Sequence, residues 1–418
     1  MSAWARAGIL GSVLYCARRK STAYAERKRD GVPIGGHWRE YELKLVQVIY
    51  RHGARTPLKP IPHKEQVVWS PALLEAPGYT QFDYRVTDLA GGPKPPSPFE
   101  DRYRSRVLKG GTFSGQLTTV GMDQMFNLGV RLRKSYVEER CFLSAGFKPS
   151  EVFVRSTNIV RNMESTRCLL AGLYKQQQEV PVTIVTAEAD DEILYPNYHG
   201  CQLLKNLIGN KMLRATSQPG MSEDLKKIRR DMDIDHEEQV DFFLLLDNLL
   251  AQEVHGFPCS SRDKPHLVRS EKRAIDIISY TTGRHDGEIL KLSVGPFLHA
   301  LQSNMLERAE STEADAQSRK LYLYAAHDVT IIPMLMALGI FDKRWPPYAA
   351  DLTLELFQHR ESKEWFARLK YNGEEQTLEG CEAGLCPLKD FLSAFSKYAM
   401  TPEEYTRLCS TDEIPDKR

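Results

Sequence analysis

Apolar and polar positions along the chain switch between a two-residue and a helical period. Glu42 to Tyr50 (ELKLVQVIY) alternates and is rich in β-branched and aromatic residues, which predicts a strand. It runs straight into Arg51-His52-Gly53, where the glycine ends the strand and opens a loop. Glu151 to Arg155 and Val182 to Thr186 (VTIVT) predict further strands, with helices expected over 118–140 and 159–178. From about 200 to 287 helical spacing takes over, most clearly at Val240 to Glu253. Sheet signals return at Lys320 to Ala325 (KLYLYA), Leu352 to Gln358 and Trp365 to Tyr371, the last two as an antiparallel hairpin. This order predicts an α/β fold, a mostly parallel sheet flanked by helices with a helical cap inserted. The core is expected over 33–199 and 288–410, the cap over 200–287, and a tail over 411–418.

Inside the first core part, 60–115 is rich in Pro and Gly, including Gly91-Gly92-Pro93-Lys94-Pro95-Pro96. A stretch this long reads as a lid-like excursion. Its aromatics Trp69, Tyr79, Phe82, Tyr84 and Phe99 read as a small core of their own or as the lining of an apolar groove. The chain of 418 residues is 42% apolar with a formal net charge of +1, so there is no global pull toward nucleic acid. No window approaches the roughly 20 apolar residues of a membrane-spanning helix. The basic clusters Val130 to Lys134 and Lys226 to Arg230 read as solvated helix faces, and peripheral membrane contact stays open.

The first 32 residues differ from the rest. Arg6, Arg18, Arg19 and Lys20 precede the first acidic residue, Glu26, a composition expected of a mitochondrial targeting segment. The rival is a secretory signal on the apolar run Ala7 to Ala17. Eight cysteines in this length are not a disulfide scaffold, and no Cys/His spacing suits zinc.

Three stretches carry chemistry. In Arg51-His52-Gly53-Ala54-Arg55-Thr56-Pro57 two guanidiniums flank one imidazole at a strand end. Each offers a fixed fork of donors matching phosphate oxygens, and both cations favour neutral His52, the form with a nucleophilic lone pair. Arg155-Ser156-Thr157-Asn158-Ile159-Val160-Arg161 lies at a second strand-to-helix junction, where backbone N–H groups suit anions. Ala326-His327-Asp328 follows the KLYLYA strand and places an imidazole beside a carboxyl group able to protonate a leaving alkoxide. His285-Asp286, by contrast, reads as structural, and Asp351 and Glu355 as satisfied sheet positions.

Together these stretches resemble the histidine acid phosphatase family, with its RHGxRxP nucleophile motif, its RST segment followed by an arginine and its late HD pair. Order and spacing agree from about Leu43 to Cys409. The resemblance implies a phosphoglycerate-mutase-like core, His52 as phosphoryl acceptor, Arg51, Arg55, Arg161 and His327 as the phosphate clamp, and Asp328 as proton donor. It assigns Arg155 a supporting place, needs no cofactor or metal, and implies disulfides Cys201–Cys409 and Cys381–Cys386. Within the family the likeness runs furthest with enzymes of lysophosphatidic acid, so a monomer acting on a small lipid phosphate is expected. A phosphatase for soluble inositol phosphates or phosphosugars is the rival, and a non-catalytic module binding phosphorylated headgroups is the alternative from another class.

Overall fold

β1 (Tyr41–Arg51) is buried from Leu45 to Arg51, polar Gln47 and Arg51 included, as befits a strand covered on both faces. In this computed structural model, residues 40–62, 64–235, 238–258, 263–311, 319–382 and 384–410 are described. The expected targeting segment and the tail lie outside them.

The other strands are β2 (Tyr84–Thr87), β3 (Val152–Ser156), β4 (Val182–Val185), β5 (Leu321–Ala326), β6 (Asp351–His359), β7 (Trp365–Tyr371), β8 (Glu374–Gln376) and β9 (Cys386–Pro387). They form one sheet of order β2-β4-β3-β5-β1-β6-β7-β8, with β9 also on β7. The half from β2 to β1 is parallel, and β6 begins an antiparallel extension. The mostly parallel sheet and the β6–β7 hairpin are as the sequence predicts. β2 was not foreseen: four residues of the excursion leave it to pair with β4.

Two apolar layers cover the sheet. On one face Val46, Val48 and Tyr50 meet α2 (Thr119–Arg133) and α3 (Val160–Tyr174). On the other, Leu45 and Ile49 meet α8 (Gly287–Glu310), α9 (Asp328–Ala337) and α10 (Leu388–Ser396), whose places in the chain follow α1 (Pro98–Arg104) and the four helices given next. Each fully buried Leu, Ile or Phe contributes about 1.5–3 kcal/mol of transfer free energy. The helix expected over 118–140 ends earlier, at Arg133, and a π turn follows over Lys134–Glu138. The first basic cluster is not simply a solvated face. Arg133 donates to the carbonyls of Ala145 and Leu173, and Arg131 pairs with the buried Asp351.

Between the halves of the sheet lie α4 (Gln202–Thr216), α5 (Met221–Asp231), α6 (Phe242–Val254) and α7 (Asp263–Thr282). α5, α6 and α7 share an apolar cluster that also takes in Ile61 and Trp345, so this layer touches the loops around the C-terminal strand ends. Both implied disulfides are formed: Cys201–Cys409 joins the start of α4 to α11 (Pro402–Cys409), and Cys381–Cys386 closes a short loop before β9.

Candidate active site

β3, β5 and β1 are neighbours and parallel, so the segments leaving their C-terminal ends converge. The three chemistry-bearing stretches leave from these ends, and the structure brings His52, Arg51, Arg55, Arg161, His327 and Asp328 together.

The loop after β1 is gripped by main-chain contacts. Gly53 lies against Gly121 at the start of α2: a Cβ on Gly53 would fall 2.2 Å from the Gly121 carbonyl oxygen. The Gly53 N–H donates to Ser165 Oγ (3.1 Å) and the Ala54 N–H to Gln124 Oε1 (2.9 Å). The result is a fixed His52 ring, only 2% exposed. Its Nδ1 lies 2.9 Å from the Gly53 carbonyl oxygen. A carbonyl can only accept, so Nδ1 carries the proton and Nε2 keeps its lone pair. Burial and then Arg161, Arg55, Arg51 and His327 hold the His52 pKa well below the ordinary histidine value. Burial and the surrounding cations therefore favour the neutral imidazole.

Each guanidinium has a different commitment. Arg51 donates to the Pro346 carbonyl (2.5 Å), pairs with Asp328 Oδ2 (2.8 Å) and lies over the Tyr348 ring at 4.1 Å. Arg55 pairs with Asp247 Oδ1 of α6 at 2.7 Å. Arg161, in the first turn of α3, lies over the Tyr103 ring at 4.9 Å, and its buried Nε and Nη1 have no hydrogen-bond partner. Among the described residues Arg161 has no carboxylate partner. Buried donors without acceptors are costly, and an anion's oxygens would satisfy them. Arg155 is held away from this centre by Glu192 at 3.1 Å.

β5 delivers the remaining pair. Asn162 of α3 donates to the Ala326 carbonyl (2.7 Å), fixing the strand end. His327 Nε2 shares a hydrogen bond with Thr157 Oγ1 (2.9 Å), and the His52 and His327 ring centroids are 5.6 Å apart. Burial and Arg161 push the His327 pKa down to about 3, so it too is neutral. Asp328 opens α9 and accepts from the Val329 N–H at Oδ1 (2.8 Å) and from the Trp345 indole at Oδ2 (3.1 Å). Burial raises its pKa, but Arg51, Arg55, His327 and the Val329 N–H outweigh burial and hold it below the ordinary carboxylate value.

Sequence reasoning missed Asp247, Trp345 and Tyr348. Asp247 had a signal: one acid inside the apolar run Phe242 to Ala251 (FFLLLDNLLA) must turn toward a buried partner. Trp345 and Tyr348 had none, since they reach the site from a segment just before β6. Among the described residues no cluster of His, Cys, Asp and Glu is placed to hold a metal ion. The excursion's aromatics divide. Trp69 packs on His255 and Phe257, and Phe82 on Phe147 and Tyr174, while Phe99 faces Tyr195 at 5.9 Å, whose ring is 6.1 Å from His327.

Comparison with known proteins agrees with this geometry. The family model described as "Histidine phosphatase superfamily (branch 2)" matches residues 42–243 and 203–372. The human protein named lysophosphatidic acid phosphatase type 6 is 54% identical over 416 residues, covering 99% of this chain and 97% of the relative. Its mouse counterpart is 51% identical over 416 residues, 99% of each chain. Among solved structures, a Bifidobacterium longum multiple inositol polyphosphate phosphatase superposes with a TM-score of 0.58 at 13% identity, over 92% of this chain and 97% of that one, a likeness of fold. The strand-end histidine, its arginines and the late His-Asp pair thus sit in a chain that belongs to the histidine phosphatase superfamily, branch 2.

Proposed function

We propose that the protein hydrolyses lysophosphatidic acid to monoacylglycerol and phosphate through a phosphohistidine on His52, without a metal ion. The observation that carries this is the buried, neutral His52 whose unprotonated Nε2 shares its surroundings with the unpartnered edge of Arg161. The phosphate oxygens take the guanidiniums of Arg51, Arg55 and Arg161 and the His327 ring. His52 Nε2 attacks phosphorus, the bond to the glycerol oxygen breaks, and Asp328 protonates that oxygen as it leaves. Water then attacks the phosphohistidine, Asp328 takes its proton, and His52 is released with phosphate. Fixed cations supply most of the stabilisation such loose transition states need.

Two observations support a lipid as the leaving group. Relatives that share more than half their residues with this chain over nearly its whole length carry that name. A small concavity lined by Pro96, Phe99, Asn158, Ile159, Ala187 and Tyr195 also lies beside the site, and its mainly apolar wall suits contact with an acyl chain. The acting unit is taken as a monomer, since every group invoked comes from one chain; sedimentation at assay concentration checks it.

The compartment belongs to the same proposal. The two disulfides favour an oxidising space, so a mitochondrial address means the intermembrane space, with the secretory lumen as the alternative. Thiol trapping on fractionated cells decides: reduced cysteines in the matrix fraction overturn it.

Phosphate release from lysophosphatidic acid, glycerol 3-phosphate and inositol hexakisphosphate, in chelator, tests the function. Preference for the lipid, lost in His52→Ala, is expected. Preference for a polar phosphate keeps the chemistry and removes the lipid. Release that persists in His52→Ala, or that stops on chelation, refutes the mechanism.

A further inference from the structure

The helical layer reaches into the phosphate site at one residue. Asp247 stands on α6, yet its carboxylate bridges two parts of the loop after β1: Oδ1 pairs with Arg55 at 2.7 Å and Oδ2 accepts the Leu58 N–H at 2.8 Å. Asn248 beside it donates to the Lys59 carbonyl at 2.8 Å, so this helix turn is locked to the loop.

The fixed charges around the site follow from the same contacts. Three guanidiniums, Arg51, Arg55 and Arg161, face two carboxylates, Asp328 and Asp247, while His52 and His327 are neutral. One positive charge is left over, and it sits on Arg161. A bound phosphomonoester dianion brings two negative charges, which leaves one negative charge in excess. A proton restores neutrality, and Asp328 is the group beside the leaving oxygen that can take it. Without Asp247 the fixed charge would be two positive, the dianion alone would balance it, and Asp328 would stay ionised.

We infer that Asp247 is a positioning residue that sets the charge of the phosphate site so that substrate binding protonates Asp328. This rests on the general-acid reading of Asp328 given above. The groups facing Asp328 are Arg51 from β1, Arg55 from the following loop, its neighbour His327, and Tyr348 and the Trp345 indole from the segment before β6, while Arg161 from α3 acts on His52 and His327. Behind them stand Asp247 on α6 and Glu271 on α7, which accepts the Trp345 backbone N–H at 3.1 Å. Arg55 already lowers the Asp328 pKa, and an Arg55 stripped of Asp247 lowers it further.

The test is Asp247→Asn, assayed on an alkyl ester (glycerol 3-phosphate or lysophosphatidic acid) and an aryl ester (p-nitrophenyl phosphate), whose leaving group needs no proton. Three results are expected. The basic limb of the kcat profile on the alkyl ester moves about one unit toward acid. The aryl rate changes less than threefold. Inorganic phosphate inhibits several-fold more tightly. Weaker phosphate inhibition with an equal loss on both esters overturns the inference, because Asp247 then only orients Arg55. An unmoved limb overturns it too.

Asp247→Ser keeps an acceptor for the Leu58 N–H and replaces Asp247→Asn if that variant fails to fold. Asp247→Glu restores the charge and should restore the limb. Asp328→Asn is run in parallel. A loss on the alkyl ester at least ~10²-fold larger than on the aryl ester upholds the general-acid reading, so any failure then belongs to Asp247 alone. Equal losses on both esters sink the underlying reading instead.

Discussion

Replacing Trp345 by Phe should move the same pH limb in the opposite direction. The indole N–H donates to Oδ2 of Asp328 at 3.1 Å, the oxygen that also pairs with Arg51 at 2.8 Å. Phenylalanine keeps most of the ring packed on Phe243 but removes the donor. A hydrogen bond to a charged group contributes about 1.5–3 kcal/mol, and the length of this one argues for the lower figure. At 1.36 kcal/mol per pKa unit, that is about one unit. The indole stabilises the carboxylate form, so its loss raises the Asp328 pKa. A general acid with a higher pKa stays protonated to higher pH, so the basic limb of kcat on the alkyl ester moves up by about one unit. The kcat profile is the right observable because it reports groups in the enzyme–substrate complex. A stationary limb with a uniformly lower rate would refute the reasoning, since the ring would then act only through its shape. A limb moved toward acid would contradict the sign.

Two further predictions concern stability. Glu355 is fully buried with Arg368 (2.6 Å), Lys370 (3.0 Å) and the Tyr136 hydroxyl (2.7 Å), so Glu355→Gln removes the carboxylate that two cations share; Arg368 keeps Glu375 at 3.6 Å, and the loss should be about 3 kcal/mol in urea unfolding at neutral pH. Burial raises the Glu355 pKa, but Arg368 and Lys370 hold it below the ordinary value, so its contribution is present above that value and fades as pH falls through the folded pKa. The gap between variant and wild type should narrow in acid, and a constant gap would count against the account. Opening Cys201–Cys409, a separation of 208 residues, should cost more than opening Cys381–Cys386, a separation of 5. The chain-entropy model gives about 5 against about 2 kcal/mol, and equal losses for Cys201→Ser and Cys381→Ser in denaturant titrations would refute the ranking.

The sequence made the convergent centre legible because its parts are local. A strand that runs into Arg-His-Gly, and another into His-Asp, announces both the residue and its place at a strand end. Parallel pairing then brings such ends together whatever the spacing along the chain. What escaped was the partnering. Asp247 is 192 positions from Arg55, and Trp345 joins Asp328 from the other side of α9. No periodicity reports such contacts. Arg131 was misread for a related reason: a basic helix face looks solvated until β6 brings the buried Asp351 beneath it. β2 was hidden by the Pro- and Gly-rich stretch around it and by its short length.

The strand order bears on when the site can exist during synthesis. β5 lies between β3 and β1, so these two early strands are never neighbours; each pairs with a strand delivered more than 160 residues after β3 ends. A nascent chain that has emerged only through α7 carries the histidine and its arginines, but β1 has neither of its sheet partners, β5 and β6. β1 and the free edge of β3 present unpaired N–H and C=O groups, the kind of edge that recruits other chains. Leu321 to Ala326 joins β3 to β1, and the same insertion brings His327 and Asp328 to the centre. Joining the two early strands and completing the chemistry are thus one event, and a ribosome-bound fragment that ends before β5 should be sticky and inactive together.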